Sequence, residues 1–384
     1  MSKINDLIKK LCPNGVEYKT LDKVCNINKG KQLNKDGLLS DGVYPVINGG
    51  ITPSGYWNDY NYDENLITIS QGGASAGYIA YQLTKFWAGA HCYVVEDCKD
   101  NIVYKYLYHF LKSKQAALQS SQVGAGIPSV SLKEIYGLKI PLPPVEVQKE
   151  IVLILDKFGE LEAELEAELE ARKSQYEFWH GKVFDNIDAK FVKLSDLCKI
   201  GDGLHGTPRY LDDGDYYFIN GNNLMNGKII FDEKTKKVSK TEFENQNIKL
   251  DKNTLLMSIN GTIGKVSYYD DEKIMLGKSV AYFSILDEKV LSKKYLFYLL
   301  QAPRSVRYYN DSLTGSTILN LGLKALREFE IPLPPIEEQN KISNILEHFD
   351  KLINDITVGI PAEIELRRKQ YEYYRNKLLT FEEI

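Results

Sequence analysis

In several short stretches of this 384-residue chain, lysines, side-chain amides and hydroxyls gather around glycines. In NINKGKQLNKDG (26–37) they are Lys29, Lys31, Gln32 and Lys35, and in IGDGLHGTPRY (200–210) they are His205, Thr207 and Arg209. The first half adds Asn48, Gln71, Gly72, Ser75 and Gln122; the second adds Asn222, Asn223, Asn260, Thr262, Lys278, Ser316 and Thr317. Cations hold phosphates, amides and hydroxyls read base edges, and glycines let a backbone come close to either. The chemistry these residues suit is DNA binding. SSQVGAGIPSVS (120–131) and SLTGSTILNLG (312–322) occupy matching places in the two halves, which favours a shared binding face over unrelated surface loops.

Motifs for bond-making chemistry are missing. LGKS (276–279) resembles the end of a phosphate-binding loop, but the first glycine of that motif would fall at Glu272. No G-x-G-x-x-G follows a predicted strand. Both Pro-Pro pairs are preceded by leucine, so neither belongs to the Asn/Asp-Pro-Pro-aromatic tetrapeptide of an amino-methyltransferase. The five histidines (91, 109, 180, 205, 348) are scattered, and the five cysteines (12, 25, 92, 98, 198) form no C-x-x-C pair. Neither a metal site nor a disulfide framework is indicated, and a reduced cytoplasmic setting fits best. The opening MSKINDLIKKLCPNG has no apolar run of a targeting segment, and no stretch approaches eighteen apolar residues, so no membrane contact is expected.

The elements that position these residues are written twice. IPLPPVEVQKEI (140–151) returns as IPLPPIEEQNKI (331–342). Prolines cannot donate to a sheet ladder and are favoured in the first helical turn, so each copy predicts a strand ending and a helix starting. After the first copy, apolar residues including Ile151, Leu155, Phe158, Leu165, Tyr176 and Trp179 recur three or four apart, without proline through 185. Some forty residues make a helix of about 60 Å. The second copy runs through Ile342, Leu346, Phe349, Ile353 and Ile356, breaks at VGIP (358–361), and resumes through Tyr371 and Tyr374. Two narrow seams predict an antiparallel coiled coil. Within the first helix, LEAELEAELEA (161–171) repeats every four residues; one unit turns a helix by about 400° and lengthens it by about 6 Å, so length changes while the face is nearly kept.

Between the helices, residues 16–141 and 188–332 read as short β-rich runs such as YPVINGG, NLITISQGG, YYFINGNN, TLLMSINGT and VAYFSI. Both reach a glycine-rich turn after a central strand, at Gly72 and Gly73 and at Gly261 and Gly264. Charge alternates with them: 15 basic against 12 acidic residues in 1–139, 5 against 12 in 140–188, 21 against 18 in 189–330, and 7 against 10 in 331–384. The expected organisation is an α+β chain with a pseudo-twofold internal repeat: an N-terminal segment 1–15, a β-rich domain 16–141, a helical region 142–187, a second β-rich domain 188–332 and a helical region 333–384.

The duplicated IPLPPxExQ leading into ILDKF and ILEHF, the helical RKSQYEFWHGKVF and RRKQYEYYRNKLLTF, and the opening LCPNGVEYKTLDKV together resemble the DNA-specificity subunit of type I restriction–modification systems over essentially the whole chain. DGLHGTPRY, INGNNLMNGKI and LLMSINGTIGK are similar to one kind of target-recognition domain in that family. The resemblance implies two target-recognition domains, each reading half of a split double-stranded DNA sequence, and a coiled coil that spaces them and docks two methyltransferase subunits. It implies no cofactor in this chain: S-adenosylmethionine belongs to the methyltransferase, and ATP and Mg belong to a restriction (motor-nuclease) subunit. The four-residue repeat would tune the spacer. The second helix departs by carrying four more residues between its phenylalanine and arginine landmarks.

Two other readings stay open at this point. A self-sufficient DNA methyltransferase or nuclease predicts catalysis by the chain alone, against which the missing cofactor motifs argue. A coiled-coil adaptor that never touches DNA predicts no salt-dependent DNA binding even with its partners present.

Overall fold

The structure, a computed structural model, describes residues 2–34, 38–99, 101–120, 128–315 and 319–384. It divides into two units, Met1–Glu166 with Glu363–Ile384, and Ala167–Ala362.

In the first unit the helix Ser2–Leu11 buries Ile4, so the opening segment belongs to this unit's core. Strand Tyr18–Thr20 runs antiparallel to Lys139–Pro141, the Ile-Pro strand of the repeated motif. Between them lies a four-stranded antiparallel sheet in the order Asn26–Lys29, Cys92–Glu96, Leu66–Ser70, Ile79–Gln82. β-Branched Ile67 and Ile69 suit the pleat and pack with Leu107, Phe110 and Leu111 of the helix Tyr104–Ser120. A smaller sheet joins Tyr56–Trp57, Tyr44–Ile47 and Trp87–Ala88, the last two parallel.

The second unit repeats this plan. Lys190–Lys193 pairs with the second Ile-Pro strand, Glu330–Leu333. The four-stranded sheet runs Cys198–Asp202, Val280–Ile285, Thr254–Ser258, Val266–Tyr268, again antiparallel. Helix Lys293–Gln301 covers it as Tyr104–Ser120 does in the first unit. Tyr106 and Tyr295, both fully buried, donate their hydroxyls to the carbonyls of Pro141 (3.0 Å) and Pro332 (2.9 Å), tying each helix to its Ile-Pro strand.

As the prolines predict, helices begin directly after both strands, at Val145 and Ile336. The first, Val145–Asp185, is 41 residues long; the second copy is Ile336–Asn354, a turn, and Ile360–Leu378. In the first unit the long helix and the last helix run antiparallel. Phe158 lies 5.5 Å from Tyr374 and 6.4 Å from Tyr371 between ring centres, while Arg368 reaches back to Glu162 and Glu166 at 2.6 Å each. In the second unit, Tyr176 and Ile342 pack on a core that includes Leu346.

The residues expected to form the spacer fall in different settings. Helical regions 142–187 and 333–384 are each divided between the two units and do not form a body of their own. Ile151 and Leu155 are fully buried, but in the wider core of the first unit. Leu165 and Phe349 are only half-buried. Trp179 is 49% exposed: the residues that follow Tyr176 inward are His180 and Phe184, with ring centres 5.2 and 5.7 Å apart in succession. Ile356 is 80% exposed because the helix stops at Asn354 and the Asp355 carboxylate accepts from the amides of Thr357 and Val358.

Candidate nucleic-acid interface

Both units bring the same three loops to one end of the four-stranded sheet. In the first, the loop after Asn26–Lys29 is held where Gly30 N donates to Cys92 O (2.8 Å) and Lys31 N to Ala88 O (2.8 Å). In the second, Gly203 N donates to Val280 O (3.2 Å) and Leu204 N to Leu276 O (2.8 Å). A Cβ on Gly30 would meet the carbonyl oxygens of Ala88 and Gly89, and one on Gly203 that of Leu276, so only glycine allows this approach.

The turn after the central strand matches too. Gln71 N donates to His91 O, Val130 N to Gln71 O and Gly73 N to Pro128 O; likewise Ile259 N to Ser279 O, Leu321 N to Ile259 O and Gly261 N to Leu319 O. Gly73 (φ +83°) and Gly261 (φ +71°) are left-handed, and a Cβ there would face open space. The repeated left-handed pair is Gly73 with Gly77 and Gly261 with Gly264; the amides of Gly77 and Gly264 donate back to the carbonyls of Ser70 and Ser258, and Gly72 instead bridges to Ser129.

On these loops Lys29, Lys31 and Gln32 are exposed, as are His205, Thr207, Arg209, Asn222, Thr262 and Lys278. His205 Nε2 lies 2.7 Å from an Asp202 oxygen. Gln71, Ser75 and Asn260 are half-buried, and among the described residues the side-chain oxygens of Gln71 and Asn260 have no hydrogen-bond partner. Lys35, Gln122, Ser316 and Thr317 lie outside the described residues.

Two expected readers also serve the frame. Asn223 is 7% exposed; its oxygen accepts from Asn220 N (2.9 Å), and its nitrogen donates to Ile230 O (2.9 Å) and Thr235 Oγ1 (3.2 Å). The oxygen of Asn48 accepts from His91 N (3.1 Å), fixing the turn before Cys92–Glu96. Asn220 does the same in the second unit, where its oxygen accepts from Ser279 Oγ (3.1 Å), and Gly277 N donates to Ile219 O as Gly89 N does to Ile47 O. Sequence reasoning missed Asn220, although Ile-Asn-Gly follows a strand in both halves (47–49 and 219–221) and signals it.

Away from the loops, each unit braces its Ile-Pro helix with a lysine. Lys105 reaches Asp156 and Lys294 reaches Glu347, each at 2.6 Å. Burial raises the Asp156 pKa, but hydrogen bonds from His109 and Lys105 outweigh it and hold the carboxyl below its ordinary value. Glu347 is lowered chiefly by Lys294. On the Asp156 helix, Leu153 is 64% exposed beside an apolar hollow of about 630 Å³ lined by Val152, Phe158 and Leu161. Among the described residues no helix is long and apolar enough to cross a membrane.

The family model for the type I restriction modification DNA specificity domain matches residues 13–171 and again 186–366. A putative type I restriction enzyme specificity subunit of Haemophilus influenzae is 31% identical over 95% of this chain and 96% of its own length. The EcoR124I/EcoR124II specificity subunit of Escherichia coli is 30% identical over 75% and 74%. Among solved structures, a type I restriction–modification S subunit from M. genitalium matches with a TM-score of 0.58 at 18% identity, over 96% of this chain and 97% of that one.

Proposed function

Because the chain belongs to the family of type I restriction–modification DNA specificity subunits, we propose that each unit reads one part of a split double-stranded DNA target and that the helices set the distance between the parts. The observation that carries this reading is the repeated sheet end: one frame of glycines and asparagines, written twice, presenting different side chains. Exposed lysines there supply salt-dependent affinity for phosphates, and amides and hydroxyls supply the choice of bases.

The chain positions and leaves the chemistry to partners. Two methyltransferase subunits, carrying S-adenosylmethionine, dock on the helical parts and methylate adenine; restriction subunits, using ATP and Mg, join them in the cytoplasm. Exposed Leu153 and the apolar hollow beside it suit such docking. An adenine must leave the helical stack to be methylated, so the readers also hold the duplex while the partner takes the base.

The test is co-expression with the cognate methyltransferase and sequencing of methylated adenines. The expected product is a two-part motif with a fixed gap. Assembly without methylation would overturn the reading, and methylation by this chain alone would reassign it as an enzyme.

A further inference from the structure

At its reading end the second unit departs from the shared frame. From Asn48 the first unit passes directly to strand Tyr56–Trp57, whereas after Asn220 the second builds a 3-10 turn, Gly221–Asn223, a hairpin, Leu224–Met225 with Lys228–Ile229, and a lysine-rich loop before Lys237–Val238. The loop is firmly fixed. Asp232 accepts from Lys234 N (3.1 Å) and Thr235 Oγ1 (2.7 Å), buried Asn223 holds Thr235, and Phe218 N donates to Lys236 O (2.8 Å).

These contacts frame a polar hollow of about 80 Å³ whose walls include Tyr210, Asn220, Asn222, Asp232, Lys234 and Lys236. Tyr210 is 41% exposed and rests on Phe218, 5.8 Å between ring centres; Asn222, Lys234 and Lys236 are exposed. The hollow adjoins the reading end through Asn220, which lines it and whose oxygen accepts from Ser279 Oγ (3.1 Å). Gly221 N donates to Ser279 Oγ (3.0 Å), and Ser279 O accepts from Ile259 N beside the Gly261 turn.

We propose that this hollow takes the major-groove edge of one base pair, with Lys234, Lys236 and Asn222 as specificity-determining residues of the second unit. The proposal rests on the DNA-reading assignment above. The lining offers more than a phosphate would use: a phosphate presents acceptors only, which leaves the Asp232 carboxylate and the oxygen of the Asn222 amide unmatched. A base-pair edge offers donors and acceptors side by side. Lysine donates to guanine O6 and N7, an asparagine amide pairs with adenine N6 and N7, and a carboxylate accepts from a cytosine amine. The space is too small for a whole base and suits an edge.

The experiment maps methylated adenines for the complex carrying Lys234→Ala, Lys236→Gln or Asn222→Ala beside the wild type, and measures the salt dependence of DNA binding by the same complexes. The expected result is that one position, in one part of the motif only, becomes degenerate, with discrimination there falling on the order of tenfold. Weakening that is equal for all sequences, with a flatter salt dependence and an unchanged motif, would make these lysines phosphate contacts and overturn the proposal. An unchanged motif with unchanged binding would overturn it as well. If the wild-type complex gives a two-part motif, such a failure is this proposal's alone; if the wild type gives none, the DNA-reading assignment fails with it.

Discussion

Gln148 and Gln339 make the same three hydrogen bonds, one set in each unit. Gln148 donates to the carbonyls of Asn101 (3.0 Å) and Pro143 (2.8 Å) and accepts from Val103 N (2.8 Å). Gln339 donates to Val290 (2.9 Å) and Pro334 (2.8 Å) and accepts from Ser292 N (2.9 Å). Both are fully buried, which explains why IPLPPxExQ ends in glutamine. Leucine at either place would strand three backbone groups, each costing about 1–3 kcal/mol. Urea denaturation should show Gln148→Leu and Gln339→Leu destabilised by similar amounts, about 3 kcal/mol or more; a near-neutral result at either would deny it this role.

Gly203 and Gly206, in one loop, make opposite predictions. A Cβ at Gly203 would strike the Leu276 carbonyl, whereas one at Gly206 would meet nothing within 4 Å. Gly203→Ala should lower the melting temperature by several degrees, at about 2–4 °C per kcal/mol for a unit of this size. Gly206→Ala should leave it nearly unchanged in the same calorimetric scan.

His180 makes stability pH-dependent. Its Nε2 lies 2.8 Å from the Tyr298 carbonyl, so the neutral ring donates there. Burial depresses its pKa, against the raising effects of that carbonyl and of Asp350. A folded pKa below the unfolded value of about 6.5 means that its contribution is present above that pH and is lost as the pH falls below it. The urea midpoint of the wild type should therefore drop between pH 7.5 and 5.5, and His180→Gln should flatten that drop. Equal slopes for the two proteins would assign the pH dependence to other groups.

The repeated LEAE unit makes a prediction about distance. Deleting Leu165 to Glu168 removes about 6 Å of helix, or one to two base-pair steps, while nearly keeping its face. The gap in the methylated motif should shorten by that amount; an unchanged gap would show that the repeat is not the ruler.

Strand and helix boundaries were legible because proline and β-branching act locally. IPLPP ends a strand and starts a helix in both halves, and LITIS and VAYFSI are the central strands they resemble. Roles within the loops were less legible because an amide serves a backbone as readily as a base. Asn223 satisfies its own turn and Asn48 the next one, while Asn222 is exposed, and nothing in the letters separates the three. The inward side of the helical seam was hard to read for a related reason. Trp179 is the more apolar residue, yet His180 lies one helical turn from both Tyr176 and Phe184, and a backbone carbonyl accepts from its Nε2–H.

The central claim, one reader per unit, is tested most directly by exchanging residues 200–210 of the second unit for the corresponding loop of another specificity subunit and mapping methylated adenines in the assembled complex. One part of the two-part motif should change while the other part and the gap stay as they were. A change in both parts together, or in neither with methylation intact, would contradict the claim.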